Sequence, residues 1–199
     1  MKVISGTLKG RNIKGYNIDG TRPTMDRVKE SLFGMIQDNI KESTVLDLFS
    51  GSGNLGIEAI SNGANFCYFI DNNKEAIQTI KENTTNLNIN SKSRIILSDW
   101  KKSLNDFANQ NIKFDLIFVD PPYDYDVYEK ILNKVSTLNL LNDNGLIILE
   151  HRNLKLPNTY LNLTLYKERN YGNKSVNIYR KEKQYNWLNN KYRWNNYVK

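Results

Sequence analysis

Asp120-Pro121-Pro122-Tyr123 places a carboxylate, two prolines and an aromatic ring in consecutive positions. Two prolines fix φ and remove two N–H donors, so the turn is stiff and presents only acceptors. A carboxylate and a backbone carbonyl in such a turn could accept both N–H hydrogens of an aryl amine. That amine is a poor nucleophile, because its lone pair is delocalised into the ring. The two acceptors would hold it in line with an electrophilic methyl group and stabilise charge developing on nitrogen. Tyr123 offers a face on which an extruded base could stack, worth roughly 1–3 kcal/mol. As an isolated tetrapeptide the motif is an ordinary turn, and its context decides its role.

A second cluster, Gly51-Ser52-Gly53-Asn54-Leu55-Gly56, follows an apolar strand and opens a helix. Its glycines permit a tight turn and close backbone approach to a ligand. Asp71 ends the next strand, where an acceptor-only group could take both hydroxyl donors of a ribose. Glycine loop and acid fit a nicotinamide enzyme or a methyltransferase equally. Asp120-Pro121-Pro122-Tyr123 separates the two, since hydride transfer has no use for an amine-holding turn.

The elements that must position these residues are legible from Thr44 onward. Short apolar runs at 44–49, 66–71, 94–97, 114–120 and 145–150 alternate with helical stretches near 56–61, 74–83, 103–110 and 128–138. Near-continuous apolar strands alternating with helices predict a parallel sheet covered on both faces. Gly172-Asn173 then joins two further strands in a hairpin. The expected fold is α/β, a doubly wound sheet with an antiparallel edge, and Asp120 lies at the carboxyl end of its fourth strand, where such sheets place ligands. Upstream, Val28, Leu32, Phe33 and Ile36 recur at helical spacing after Thr24, a candidate N-cap. Residues 1–20 read as short strands or loops.

Charge divides along the chain. Residues 1–41 carry +4, residues 42–150 carry −6 and residues 151–199 carry +9, for a net +7. Basic ends around an acidic middle suggest contact with a polyanion, whose phosphates release counterions when neutralised. One cysteine, Cys67, excludes an internal disulfide and multi-cysteine metal sites, and it reads as packing within a buried strand. No metal is expected. No apolar run approaches signal-peptide or membrane-span length, so the reading is cytoplasmic, with no membrane contact.

Together these motifs resemble the RsmD-type bacterial methyltransferases, which act on N2 of a guanine in small-subunit (16S) ribosomal RNA. The resemblance spans roughly residues 1–183. It rests on the Gly6–Arg11 segment, the Arg22-Pro23-Thr24 run with Asp26-Arg27-Val28, the stretch 47–64, Asp71, Asp99, Asp120–Tyr123 and the closing hairpin. It implies the class I (seven-stranded) S-adenosylmethionine-dependent methyltransferase fold with an N-terminal extension. It also implies three regions: a basic extension at 1–41 contributing to RNA binding, a catalytic domain at 42–183, and a basic aromatic tail at 184–199 whose role stays open. By the same resemblance Gly51, Ser52 and Gly53 would hold the methionine portion of S-adenosylmethionine, Asp71 the ribose and Asp99 the adenine amine. Asp120, Pro121 and Tyr123 would hold the target base. The partner implied is 16S ribosomal RNA or an assembling small subunit, bound by a monomer. Asn54 departs from the family's small residue and Asp71 from its common Glu.

Other residues have two readings. Asp47 either orients the cofactor through water or caps the glycine turn. Lys9, Arg11, Lys14, Arg22 and Arg27 are expected to line the entrance and grip phosphates, Arg through its fork geometry. Glu58, Asn83 and Asn86 read as structural; His151, just past the fifth strand, could shuttle a proton but reads rather as an incidental surface position. Trp187, Tyr192, Arg193 and Trp194 could stack on RNA or dock on the domain. Alternatives to guanine methylation are methylation of an adenine amine (N6) in DNA, of a protein glutamine, or RNA binding without catalysis.

Overall fold

A computed structural model describes residues 1–15, 23–121, 126–152 and 154–182. Arg22, Tyr123 and the tail 184–199 lie outside these. Five strands pair in parallel: β1 (Thr44–Asp47), β2 (Phe66–Asp71), β3 (Ser93–Leu97), β4 (Phe114–Val119) and β5 (Leu141–His151). β6 (Thr159–Tyr160), β7 (Leu163–Tyr171) and β8 (Lys174–Lys181) add an antiparallel edge. The order is β3-β2-β1-β4-β5-β8-β7-β6. This is the class I methyltransferase arrangement of the doubly wound α/β sheet, with the two-residue β6 as an eighth strand beyond the seven expected. The hairpin turns at Gly172-Asn173 as expected, with Gly172 at φ 64°.

Helices α2 (Asn54–Ser61), α3 (Lys74–Asn86), α4 (Trp100–Asn109) and α5 (Asp126–Thr137) return the chain between parallel strands. Successive strand residues face opposite layers. Val45, Phe69, Phe118 and Ile148 meet α1–α3, where α1 is Pro23–Ile36. Leu46, Ile70, Ile117 and Leu149 meet α4 and α5. Both faces are therefore covered, which is why the strands read as unbroken apolar runs.

α1 starts at Pro23, so Thr24 lies inside the first turn and is not its N-cap. A proline at the first helical position loses only an N–H that has no intrahelical partner. Residues 1–15 form no strand beyond a single Lys2–Asn12 bridge and a short 3₁₀ turn at Gly6–Leu8, with Val3 and Ile13 buried against the α1–α3 layer. Strand order reverses between β2-β1 and β4-β5, so the carboxyl ends of β1 and β4 meet at the switch point, the crevice where open α/β sheets place their ligands.

Candidate active site

β1 ends at Asp47, and the chain turns through Leu48–Gly53 into α2. Ser50 anchors that turn to β2: its Oγ donates to Asp47 O at 2.7 Å and accepts from Ile70 N at 2.9 Å. Gly51 and Gly53 have φ of 52° and 80°, left-handed values that favour glycine. A Cβ on Gly51 would meet nothing within 4 Å, so this side of the loop is open. Gly56 differs. A Cβ there would come within 2.4 Å of Phe69 and 2.6 Å of Cys67 Sγ, so glycine lets α2 lie directly on β2.

Asp71 reaches the loop from β2. Its Oδ2 accepts from Gly51 N at 2.9 Å and its Oδ1 from Asn73 N at 2.9 Å. Each carboxylate oxygen keeps a further lone pair, so the ribose role and the loop contact are compatible. Asp47 is buried, and its Oδ2 accepts from Gly56 N at 3.0 Å in the first turn of α2. This is the capping alternative of its two readings. Burial raises the Asp47 carboxyl to about 7; the Gly56 N–H opposes the rise and the charge of Asp71 adds to it. Ser52 is buried, and its carbonyl accepts from Asn83. Asp99 is exposed just past β3, and its Oδ1 caps α4 through the N–H groups of Lys101 and Lys102.

Asp120 follows β4 immediately and faces solvent, while Pro121 is buried. Register pairs Val119 with Leu149, which brings Asp120 beside Glu150 at the end of β5. Glu150 pairs with Lys174, the first residue of β8. The mass of protein around Asp120, then the charge of Glu150, raise its carboxyl; Lys174 opposes the rise and Asp47 adds to it. Because the side chain keeps an accessible face, water moderates the burial contribution. Burial disfavours the Lys174 ammonium, but Glu150 and Asp120 outweigh this and raise it.

The fold thus brings Asp47, Gly51, Ser52, Gly53, Asp71, Asp120 and Pro121 to one crevice, with Asp99 on the same strand-carboxyl edge. The basic residues divide. Arg27 is exposed, two residues before Lys29, which contacts Asn54 at the start of α2, so it lies at the crevice end of α1. Lys14 pairs with Glu82 at 2.7 Å. Arg11 donates to Asn86 O at 2.8 Å, and Leu8, next to Lys9, donates to Ser61 Oγ at 2.9 Å. Asn86 and Ser61 end α3 and α2, helices that run away from the strand-carboxyl edge. Lys9 and Arg11 are therefore not gathered at the entrance.

His151 is buried, which corrects its reading as a surface residue. Leu154 N donates to its Nδ1 at 3.2 Å, so the imidazole is assigned neutral with Nε2–H directed at Asn177 Oδ1, 2.7 Å away. It joins β5 to β8 and secures the chain beyond β5. Cys67 is buried packing; burial, then the charge of Asp47, push its thiol up. Among the described residues no cluster of His, Cys, Asp and Glu could hold a metal, and no helix is long and apolar enough to cross a membrane.

Two buried polar residues beside the loop escaped the sequence reading as participants, although their spacing marked them. Lys29 falls on the α1 stripe of Val28, Leu32 and Phe33. Asn83 lies three residues after Ile80 on the buried face of α3.

The Conserved hypothetical protein 95 family model matches residues 1–180. A putative rRNA methyltransferase, YlbH, of Bacillus subtilis is 40% identical over 182 residues, covering 91% of this chain and 99% of the relative. Ribosomal RNA small subunit methyltransferase D of Escherichia coli is 30% identical, covering 92% and 91% respectively. A solved structure, a putative methyltransferase yhhF from Escherichia coli, superposes with a TM-score of 0.81 at 28% identity over 92% of this chain and 99% of that one. The chain belongs to the Conserved hypothetical protein 95 family, that of the ribosomal RNA small subunit methyltransferase D enzymes.

Proposed function

We propose that this protein transfers a methyl group from S-adenosylmethionine to the exocyclic N2 amine of a guanine in small-subunit (16S) ribosomal RNA. The observation that carries the reading is the pairing, at one crevice, of the β1 glycine loop with Asp120-Pro121 at the end of β4. The residues present fit the cofactor. Gly51 leaves open space beside a left-handed turn, Asp71 keeps acceptor capacity, and Asp99 is exposed on the same edge. When bound, S-adenosylmethionine supplies an electrophilic methyl group on a sulfonium.

The chain's own work is positioning and charge. Asp71 would accept from the ribose hydroxyls, and Asp99 from the adenine amine. Asp120, ionised, would accept one N–H of the target amine while the backbone of the proline turn accepts the other, orienting the nitrogen lone pair and offsetting the charge it gains. Lys174 opposes the rise that the surrounding protein and Glu150 impose on the Asp120 carboxyl, and so favours its ionised form. Tyr123 would stack on the base, a role that falls outside the described residues. Arg27 at the crevice end of α1, with Arg22, would hold RNA phosphate. Such contacts position the RNA without reading its sequence, so its shape and an accessible base would govern substrate choice.

Labelled methyl transfer to deproteinised 16S ribosomal RNA, small-subunit particles, duplex DNA and protein, followed by nucleoside digestion, tests this. Label in N2-methylguanosine is expected. Label confined to N6-methyladenosine in DNA, to protein, or to no acceptor would overturn it.

A further inference from the structure

The N-terminal segment meets the glycine loop through two separate side chains, one on each side of Gly53. Asn83, 2% exposed, uses its whole amide. Its Oδ1 accepts from Lys14 N at 2.8 Å, and its Nδ2 donates to Lys14 O at 3.0 Å and to Ser52 O at 2.9 Å. Lys29, 3% exposed, does the same with an ammonium. Its Nζ donates to Lys2 O at 3.0 Å and to Asn54 Oδ1 at 2.8 Å, and it pairs with Glu58 Oε2 at 2.9 Å. Glu58, fully buried on α2, closes the network by accepting from Ile4 N at 3.1 Å and from Ser5 N and Ser5 Oγ at 2.8 Å. Lys2, Ile4, Ser5 and Lys14 thus reach the residues flanking Gly53 through Lys29, Glu58 and Asn83.

We infer that residues 1–14 form part of the cofactor site, with Asn83 and Lys29 as positioning residues that lock Ser52 and Asn54 on either side of the left-handed Gly53. The inference rests on the glycine loop being the cofactor site proposed above. A turn with two left-handed glycines is intrinsically permissive, and holding it in the bound shape beforehand removes an ordering cost from ligand binding. Side chains locked by a fully satisfied buried network are the usual means of such support. An N-terminal segment serving RNA contact alone would have no need to reach both shoulders of the loop.

The test is calorimetric binding of S-adenosylhomocysteine to the full chain, joined to steady-state methyl transfer. Asn83→Ala should weaken cofactor binding about tenfold, the equivalent of one hydrogen-bonded restraint, and raise KM for S-adenosylmethionine. Its kcat at saturation should stay within about threefold, since no group at the reacting atoms changes. Asn54→Ala severs only the Lys29 contact at the start of α2 and leaves the Lys29–Glu58 pair intact. It should weaken binding about threefold, and it decides the matter if Asn83→Ala does not fold. Leu163→Ala, in the distant β7 edge, serves as a destabilised control and should bind normally. Unchanged binding in the folded variants, or an equal loss in the control, overturns the inference. Wild-type protein that fails to bind S-adenosylhomocysteine overturns the cofactor assignment instead.

Discussion

Asp47 makes stability depend on pH in a direction opposite to that of most carboxylates. It is buried with one backbone donor, and burial raises it from 3.8 to about 7. The folded protein therefore holds a proton that the unfolded chain has released across this interval. Because the folded state binds more protons there, unfolding free energy falls as pH rises. The group's contribution is complete below pH 3.8, is lost progressively through the interval, and is gone above about 7. At about 1.4 kcal/mol per pH unit, the whole interval amounts to about 4 kcal/mol and the stretch between pH 5.5 and 7.5 to about 2 kcal/mol. Asp47→Asn keeps an acceptor for Gly56 N–H and cannot ionise. Urea unfolding of both proteins at pH 5.5 and 7.5 isolates Asp47 together with the groups that feel its charge, because titrating groups remote from it cancel between the two proteins. The wild type should lose about 2 kcal/mol relative to Asp47→Asn on going to the higher pH. Parallel pH profiles would refute the reasoning and mean that water or a rearranged turn solvates the Asp47 carboxylate.

Replacing Asp120 with Ala should lower single-turnover methyl transfer roughly 10²-fold or more while leaving S-adenosylhomocysteine affinity nearly unchanged, as calorimetry and rapid-quench assays can show. Asp71→Ala should weaken cofactor binding by about 1.5–3 kcal/mol by calorimetry, because it removes both a hydroxyl acceptor and the Gly51 contact. Gly56→Ala should destabilise by about 1–3 kcal/mol in urea unfolding, since its Cβ would press into Phe69 and Cys67. Neutralising Lys9, Arg11 and Lys14 together should flatten the log–log salt dependence of RNA binding by about one unit and not three, because Arg11 and Lys14 are engaged with α3.

The sheet was legible because its strands are buried on both faces and therefore appear as unbroken apolar runs. Phe66–Asp71 and the turn at Gly172-Asn173 agree with the sequence reading to the residue. The glycine loop and Asp120 were legible because their spacing is tied to strand ends that the same runs reveal. Boundaries were softer where no stop signal intervenes. β5 begins at Leu141 because the strand continues through Asn142–Asn144 with a register shift against β4, a detail that alternation cannot reveal. His151 was misjudged for a related reason. A single polar residue at a strand end has no periodicity, and its burial depends on Asn177, which register alone places across from Leu149, two residues away.

The basic N-terminal segment shows where reasoning from charge reaches its limit. Its charges suggested a phosphate-gripping arm over the entrance, yet net charge records only how many cations a segment carries. Docking depends instead on its main chain and on Val3 and Ile13, which bury against α1–α3. Once those apolar residues are fixed, Lys14 N and O must face Asn83, and Ile4 and Ser5 must face Glu58. The same docking carries Arg11 to the far end of α3, where a helix C-terminal carbonyl attracts a cation. Backbone donors and acceptors, which composition leaves invisible, thus place the segment against the shoulders of the glycine loop and leave Arg27 as the described candidate for RNA contact at the crevice.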